Sequence, residues 1–221
     1  MQNTLQIFDD RKEEINYYYS VIYKIESDEH KTATIENNNK LIKIMKSNLL
    51  LMLYNLVEAC VVSGMMEIYE NLKNNSCSYD SLINEIQNIW ATHEINKIYG
   101  QATKKSAYEE RVKRIIENVL SGSPIVLTRD ALDISGNLNA RKIRKICDNH
   151  HIRYRLKTDG ESLEKVKQQR NNLAHGDVSF GECARNLTLN DLETIKDEVF
   201  LFMEGILNGM KDYYDKKGYL K

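Results

Sequence analysis

Arg170-Asn171-Asn172-Leu173-Ala174-His175-Gly176 sets a permanent cation five residues before an imidazole, at what reads as the end of a helix. At about 100° per residue, a five-residue step leaves two side chains roughly 140° apart, so Arg170 and His175 do not stack. Asn171 and His175, four apart, share a face. Arginine is long enough to swing round and meet the imidazole, and Gly176 suits the left-handed cap that stops a helix. Partial negative charge at a helix C-terminus favours a protonated imidazole. A guanidinium fork binds phosphate oxygens and an imidazole moves protons, so the pair suits cleavage of a phosphodiester. The spacing alone is weak, because a surface arginine followed by a helix-capping histidine satisfies it equally.

Two further groups bear on that pair. Asn171 lies one turn before His175, where it could orient the imidazole, contact a ligand or face solvent; Asn172 is less informative. Glu58 and Asn55 stand three apart in the most apolar segment of the chain, with Asn48 one heptad before Asn55. Burying an unpaired carboxylate costs several kcal/mol, so Glu58 needs a cationic or hydrogen-bonding partner. We expect Glu58 to meet Arg170 and fix its guanidinium, with Asn55 in support; the alternative is another basic partner or solvent.

Other constellations fail on spacing. His93-Glu94-Ile95-Asn96-Lys97 starts like a zinc helix but has lysine where the second histidine belongs. His150 and His151 are adjacent and point about 100° apart on a helix, which makes a poor metal pair. There is no Gly-x-x-x-x-Gly-Lys-Ser/Thr phosphate loop, and no metal site is expected. The four cysteines are widely spaced, with no Cys-x-x-Cys pair, which fits a reducing cytoplasm.

The elements that must position these residues read as helices. One proline and 10 glycines in 221 residues, with 29% charged side chains, point to long helices and not to a turn-rich β fold. A first helix spans Thr4 to about Ser27 and is broken by the polar patch from Glu36 to Asn39. A second, from about Lys40 to Asn74, is apolar nearly all round in its middle and belongs at the centre of a bundle. Its core from Leu49 to Val62 is interrupted by Asn55 and Glu58 and is too short to span a bilayer. No signal peptide is visible at the N-terminus. Further helices are expected over 81–97, 108–120, 161–174 and from Thr188 or Asn190 to about Lys216.

Ser121-Gly122-Ser123-Pro124 is the clearest break, and we read 121–158 as an elaboration on the bundle with too little apolar content for its own core. Within it, 125–127 and 152–156 are short enough for strands or turns, and Asn139 caps a basic helix. Between 104 and 157, thirteen Lys and Arg face six Asp and Glu, a local excess of seven in a chain of net charge −1. Arg141, Lys142, Arg144 and Lys145 are therefore candidates to track a phosphate backbone, against the plainer reading of a solvated helix face. On the last helix Phe200, Leu207 and Tyr214 form a second apolar line opposite a core face. That predicts a partner surface, most simply for a second copy, unless 121–158 covers it.

Arg170-Asn171-Asn172-Leu173-Ala174-His175 resembles the Arg-x(4–6)-His signature of HEPN-domain proteins. Ser135-Gly136-Asn137, Arg141-Lys142-Ile143-Arg144-Lys145-Ile146-Cys147 and the Ser179-Phe180 that follows His175-Gly176 are similar to the stand-alone MAE-like HEPN subfamily. The resemblance covers most of the chain. It implies an all-α, HEPN-type up-and-down bundle, one domain over 1–221, with the basic insertion between the fourth helix and the motif helix. It also implies a metal-independent endoribonuclease with no cofactor, in which two motifs meet across a homodimer interface. Arg170 and His175 from both copies would then flank RNA and leave a 2′,3′-cyclic phosphate or 3′-phosphate and a 5′-hydroxyl. Members act as toxins or anti-phage (abortive infection) effectors, which implies a cognate antitoxin or defence-system partner. Some are regulated through a tyrosine two residues past the histidine; here that residue is Asp177. The rival readings are a catalytically inert RNA-binding, scaffold or antitoxin-partner module, and a nucleotide-binding sensor.

Overall fold

A computed structural model describes residues 1–27, 35–99, 105–132, 134 and 136–221. Helix α1 (Gln2–Ser27) buries Phe8, Ile15 and Ile22 at seven-residue steps, a stripe that needs a long partner. That partner is α2 (Ile35–Asn74), which buries Leu49, Leu53, Leu56 and Cys60 and forms the axis of the core. The two run antiparallel. Thr4 meets Ser63 and Glu67, Arg11 donates to the Asn55 carbonyl at 2.8 Å, and Glu26 pairs with Lys46 at 2.8 Å. α2 starts before Lys40, so the patch expected as a break from Glu36 to Asn39 lies inside the helix. An 18-residue window of α2 has the hydropathy of a membrane span, but 56% of it is buried inside the bundle, as a core helix requires.

Next come α3 (Asn84–Tyr99) and α4 (Lys105–Leu120). The segment after α4 feeds the same core through Ile125, Leu127, Leu132 and Leu138. Among the described residues it forms no strand: pairing is limited to isolated bridges, one joining Ser78 to Pro124. The reason at 153–156 is packing. The segment crosses the last helix, α8 (Leu189–Asp215), at Gly205 and Gly209, where an added Cβ would sit 2.5 Å from the Arg155 and Arg153 carbonyl oxygens. Only the missing side chains let backbone approach helix so closely.

α5 (Ala140–Asn149) starts at Asn139, whose side chain accepts from the Lys142 N–H at 2.9 Å. The motif helix α6 (Glu161–His175) has no capping side chain of its own. Glu198 of α8 supplies the acceptors instead, taking the Glu161 N–H at 2.8 Å, the Ser162 N–H at 3.2 Å and the Ser162 hydroxyl. A carboxylate at a helix N-terminus is favourable twice over, as acceptor and as countercharge. The short α7 (Phe180–Cys183) and α8 each open with a reciprocal capping box, Ser179 with Glu182 and Thr188 with Asp191.

The second apolar line on α8 is not a partner surface. Phe200 and Leu207 are buried within the chain, Phe200 edge-on against Phe8 of α1 at 6.4 Å. α1 covers the line at Phe200, the 153–156 segment crosses α8 beside Leu207 at Gly205 and Gly209, and Tyr214 is half-buried. α8 lies in the middle of the packing and so needs apolar side chains on two sides.

Candidate active site

Arg170 emerges on the side of α6 that faces α2, and its guanidinium is held from several directions. Nη1 donates to the Gly136 carbonyl at 2.8 Å and to Asn171 Oδ1 at 2.9 Å. Nη2 lies 3.8 Å from Glu58 Oε2. The plane sits over the Tyr54 ring, 4.5 Å from its centroid, where the ring quadrupole attracts a cation. Tyr54 is itself fixed: it is buried and accepts from the Leu138 N–H at 3.2 Å. Burial pushes its phenol pKa up, so the ring stays neutral beneath the cation. Asn171 closes the cage by donating to Asn137 Oδ1 at 2.6 Å.

This geometry separates the expected site residues. Glu58 and Arg170 meet, but Glu58 is about a quarter exposed, at the rim and not buried in the core. Asn55 does not join them; it is exposed beside α1, where its carbonyl accepts from Arg11. Three residues on a helix turn about 300°, and in a helix packed on both sides that is enough to change neighbours. Asn171 does not orient the imidazole, because its amide is committed to Arg170 and Asn137. Tyr54 was missed, though it stands one turn before Glu58 on the same face. Gly136 was quoted only as part of a flank; its φ of +64° and its carbonyl make it the backbone half of the clamp. Ser135 of that flank lies outside the described residues.

His175 is the opposite case. It is the last residue of α6 and exposed, and it makes no hydrogen bond or ion pair among the described residues. Gly176, at φ +76°, ends the helix: its N–H donates to the Leu173 carbonyl at 3.3 Å and the Asp177 N–H to the Asn172 carbonyl at 2.9 Å. That paired cap satisfies the last carbonyls through backbone alone and leaves the imidazole uncommitted.

A family model described as MAE_28990-like HEPN matches residues 1–219, nearly the whole chain, on a bundle that is all helix. The chain belongs to the HEPN family. No curated protein and no solved structure matches it. HEPN membership suggests a nuclease or RNA-related function, since HEPN domains are often ribonucleases.

The basic helix of this HEPN chain divides by face. Arg141 and Lys145 are exposed, four apart on one side of α5. Lys142 is half-buried beside them. Arg144 turns the other way, donating to the Asp159 carbonyl and lying 5.5 Å over the Phe202 ring, so it ties α5 to the core. His150 is buried too: Nδ1 bonds the Ile146 carbonyl at 2.7 Å and Nε2 the Tyr69 hydroxyl at 2.7 Å. With both nitrogens engaged in a dry site it is a structural neutral histidine, its pKa pushed down to about 4 by burial.

Proposed function

We propose that this chain is a metal-independent HEPN endoribonuclease that acts as a toxin or anti-phage effector. The observation that carries the reading is the pairing of a caged guanidinium with an uncommitted imidazole at the end of one helix. Cleaving RNA without a metal needs a base for the 2′-hydroxyl proton, an acid for the 5′-oxygen and a cation for charge on the phosphate. Arg170 is the cation; Glu58, Tyr54, Gly136 and Asn171 orient it and never touch substrate. His175 carries the proton. One imidazole cannot be acid and base in the same step, so a second copy supplies the other, and the working form is a homodimer with two motifs across one cleft. An exposed His175 suits that arrangement.

The test is cleavage of single-stranded RNA in excess EDTA, with the product ends identified. The expected ends are a 2′,3′-cyclic phosphate (or 3′-phosphate) and a 5′-hydroxyl. Expression should arrest growth, and Arg170→Ala or His175→Ala should each relieve it. If wild type and both variants grow alike and RNA stays whole, the enzyme reading fails and an inert RNA-binding, scaffold or antitoxin-partner role takes its place.

A further inference from the structure

A groove of about 860 Å³ runs between α3 and the turn at Arg129–Ala131, and a second of about 420 Å³ continues it along α5. They are one depression, since Ile89, Ala131, Leu132 and Asn149 line both. Ligand sites commonly combine an apolar floor with a few placed polar groups, and this groove has that form. Ile89 and Leu132 are the floor. Along one wall Asn88, Thr92 and Asn96 recur every fourth residue on α3, a row of short donors and acceptors exposed on one face. The other wall is the face of α5 with Arg141 and Lys145, two exposed cations that pair with no carboxylate among the described residues. Glu85, Asp130 and Asp148 line the α3 part of the groove, with Asp148 one turn beyond Lys145 and two turns beyond Arg141 on α5.

The charge layout orients an occupant. A phosphate is attracted to the Arg141 end of α5 and repelled from the end carrying Asp130 and Asp148. A flat ring fits the apolar floor, with its edge toward the asparagine row and its amino groups toward the carboxylates. The groove also adjoins the motif. Asn139 lines it and the Gly136 carbonyl holds Arg170, and three residues of chain span at most roughly 11 Å.

We propose that this groove is a nucleotide subsite for single-stranded RNA, seating a splayed base next to the phosphate that Arg170 grips. The proposal rests on the ribonuclease reading and names the kind of strand it takes: unpaired, with a base free to leave the stack. A duplex cannot fill the subsite, because its bases are already paired and stacked. Arg141 and Lys145 bind phosphate, and Asn88 and Thr92, one turn apart, read the base edge.

The experiment uses full-length chain carrying His175→Ala, so that bound RNA stays intact. Fluorescence anisotropy is measured with a labelled 12-nucleotide single strand of mixed sequence and with the same strand annealed to its complement. The single strand should bind at least tenfold tighter than the duplex. Adding Arg141→Glu and Lys145→Glu should weaken it at least tenfold and flatten the salt dependence. Both residues are exposed, so the thermal midpoint should hold. Adding Asn88→Ala and Thr92→Ala instead keeps the charge, and should narrow the spread of affinities among homopolymeric strands. Equal binding of duplex and single strand, or unchanged binding after both charge reversals, overturns the subsite. Neither result touches the ribonuclease reading, which is decided separately by wild-type cleavage and product ends.

Discussion

The two ends of one motif are built to opposite specifications. Arg170 is held by a carbonyl, an amide, a carboxylate and an aromatic face, drawn from α2, α6 and the 136–138 segment. His175, five residues on, is exposed and has no described partner. A guanidinium serves by standing still, because charge stabilisation is worth most when no reorganisation is needed at the moment of reaction. An imidazole that moves protons must meet its substrate with its nitrogens free. The fold therefore fixes the guanidinium from several sides and leaves the imidazole free at the helix end.

The largest test of this contrast is the pair of alanine variants. His175→Ala should lower cleavage by about 10²–10⁴-fold, the usual range for a lost proton carrier, and Arg170→Ala by about 10²–10³-fold, as for a lost charge-stabilising donor. Their stabilities should part company. His175→Ala should stay within about 0.5 kcal/mol of wild type, as surface substitutions do. Arg170→Ala leaves the Gly136 carbonyl and Asn171 without their donor, and should cost about 1–2 kcal/mol in denaturant melts. Equal destabilisation by the two would break the comparison.

A smaller effect separates charge from geometry. Arg170→Lys keeps the cation but loses the planar fork whose Nη1 meets Gly136 and Asn171 while Nη2 faces Glu58, so cleavage should fall by roughly tenfold or more. Rescue to wild-type rate would show that the cage is incidental. Gly136→Ala probes the backbone half. It places a β-carbon in a left-handed conformation and 3.3 Å from Arg170 Nη2, and should cost about 1 kcal/mol and lower kcat severalfold with little change in KM.

The smallest effect compares His175 with His150, exposed against buried. The neutral His150 titrates at about 4 when folded and near 6.5 when unfolded, so the unfolded chain binds the extra proton between those values. Its contribution to stability is complete above about pH 6.5, shrinks as pH falls toward 4 and is flat below. The thermal midpoint should drop by a few degrees over that window, and His150→Gln should remove that part of the slope. His175→Ala, at an exposed position, should change the midpoint little.

Much of this was legible in the chain itself. Helix class, the caps at Asn139, Gly176 and Thr188, and the central role of α2 follow from residue type and spacing, since period, caps and breakers act within a few residues. The Glu58–Arg170 meeting was also readable, because a carboxylate in an apolar helix needs a partner and cations near the motif are few. What spacing could not supply was which residues share the cage across distance. Asn55 was expected in support of Glu58 and fell on the α1 side; Tyr54, one turn before Glu58, became the platform under the guanidinium; Phe200 and Leu207 looked like an interface and are buried within the chain. Local sequence fixes conformation and which faces are apolar. The identity of what lies against each face depends on how helices separated by a hundred residues cross, and only close packing of the whole bundle decides that.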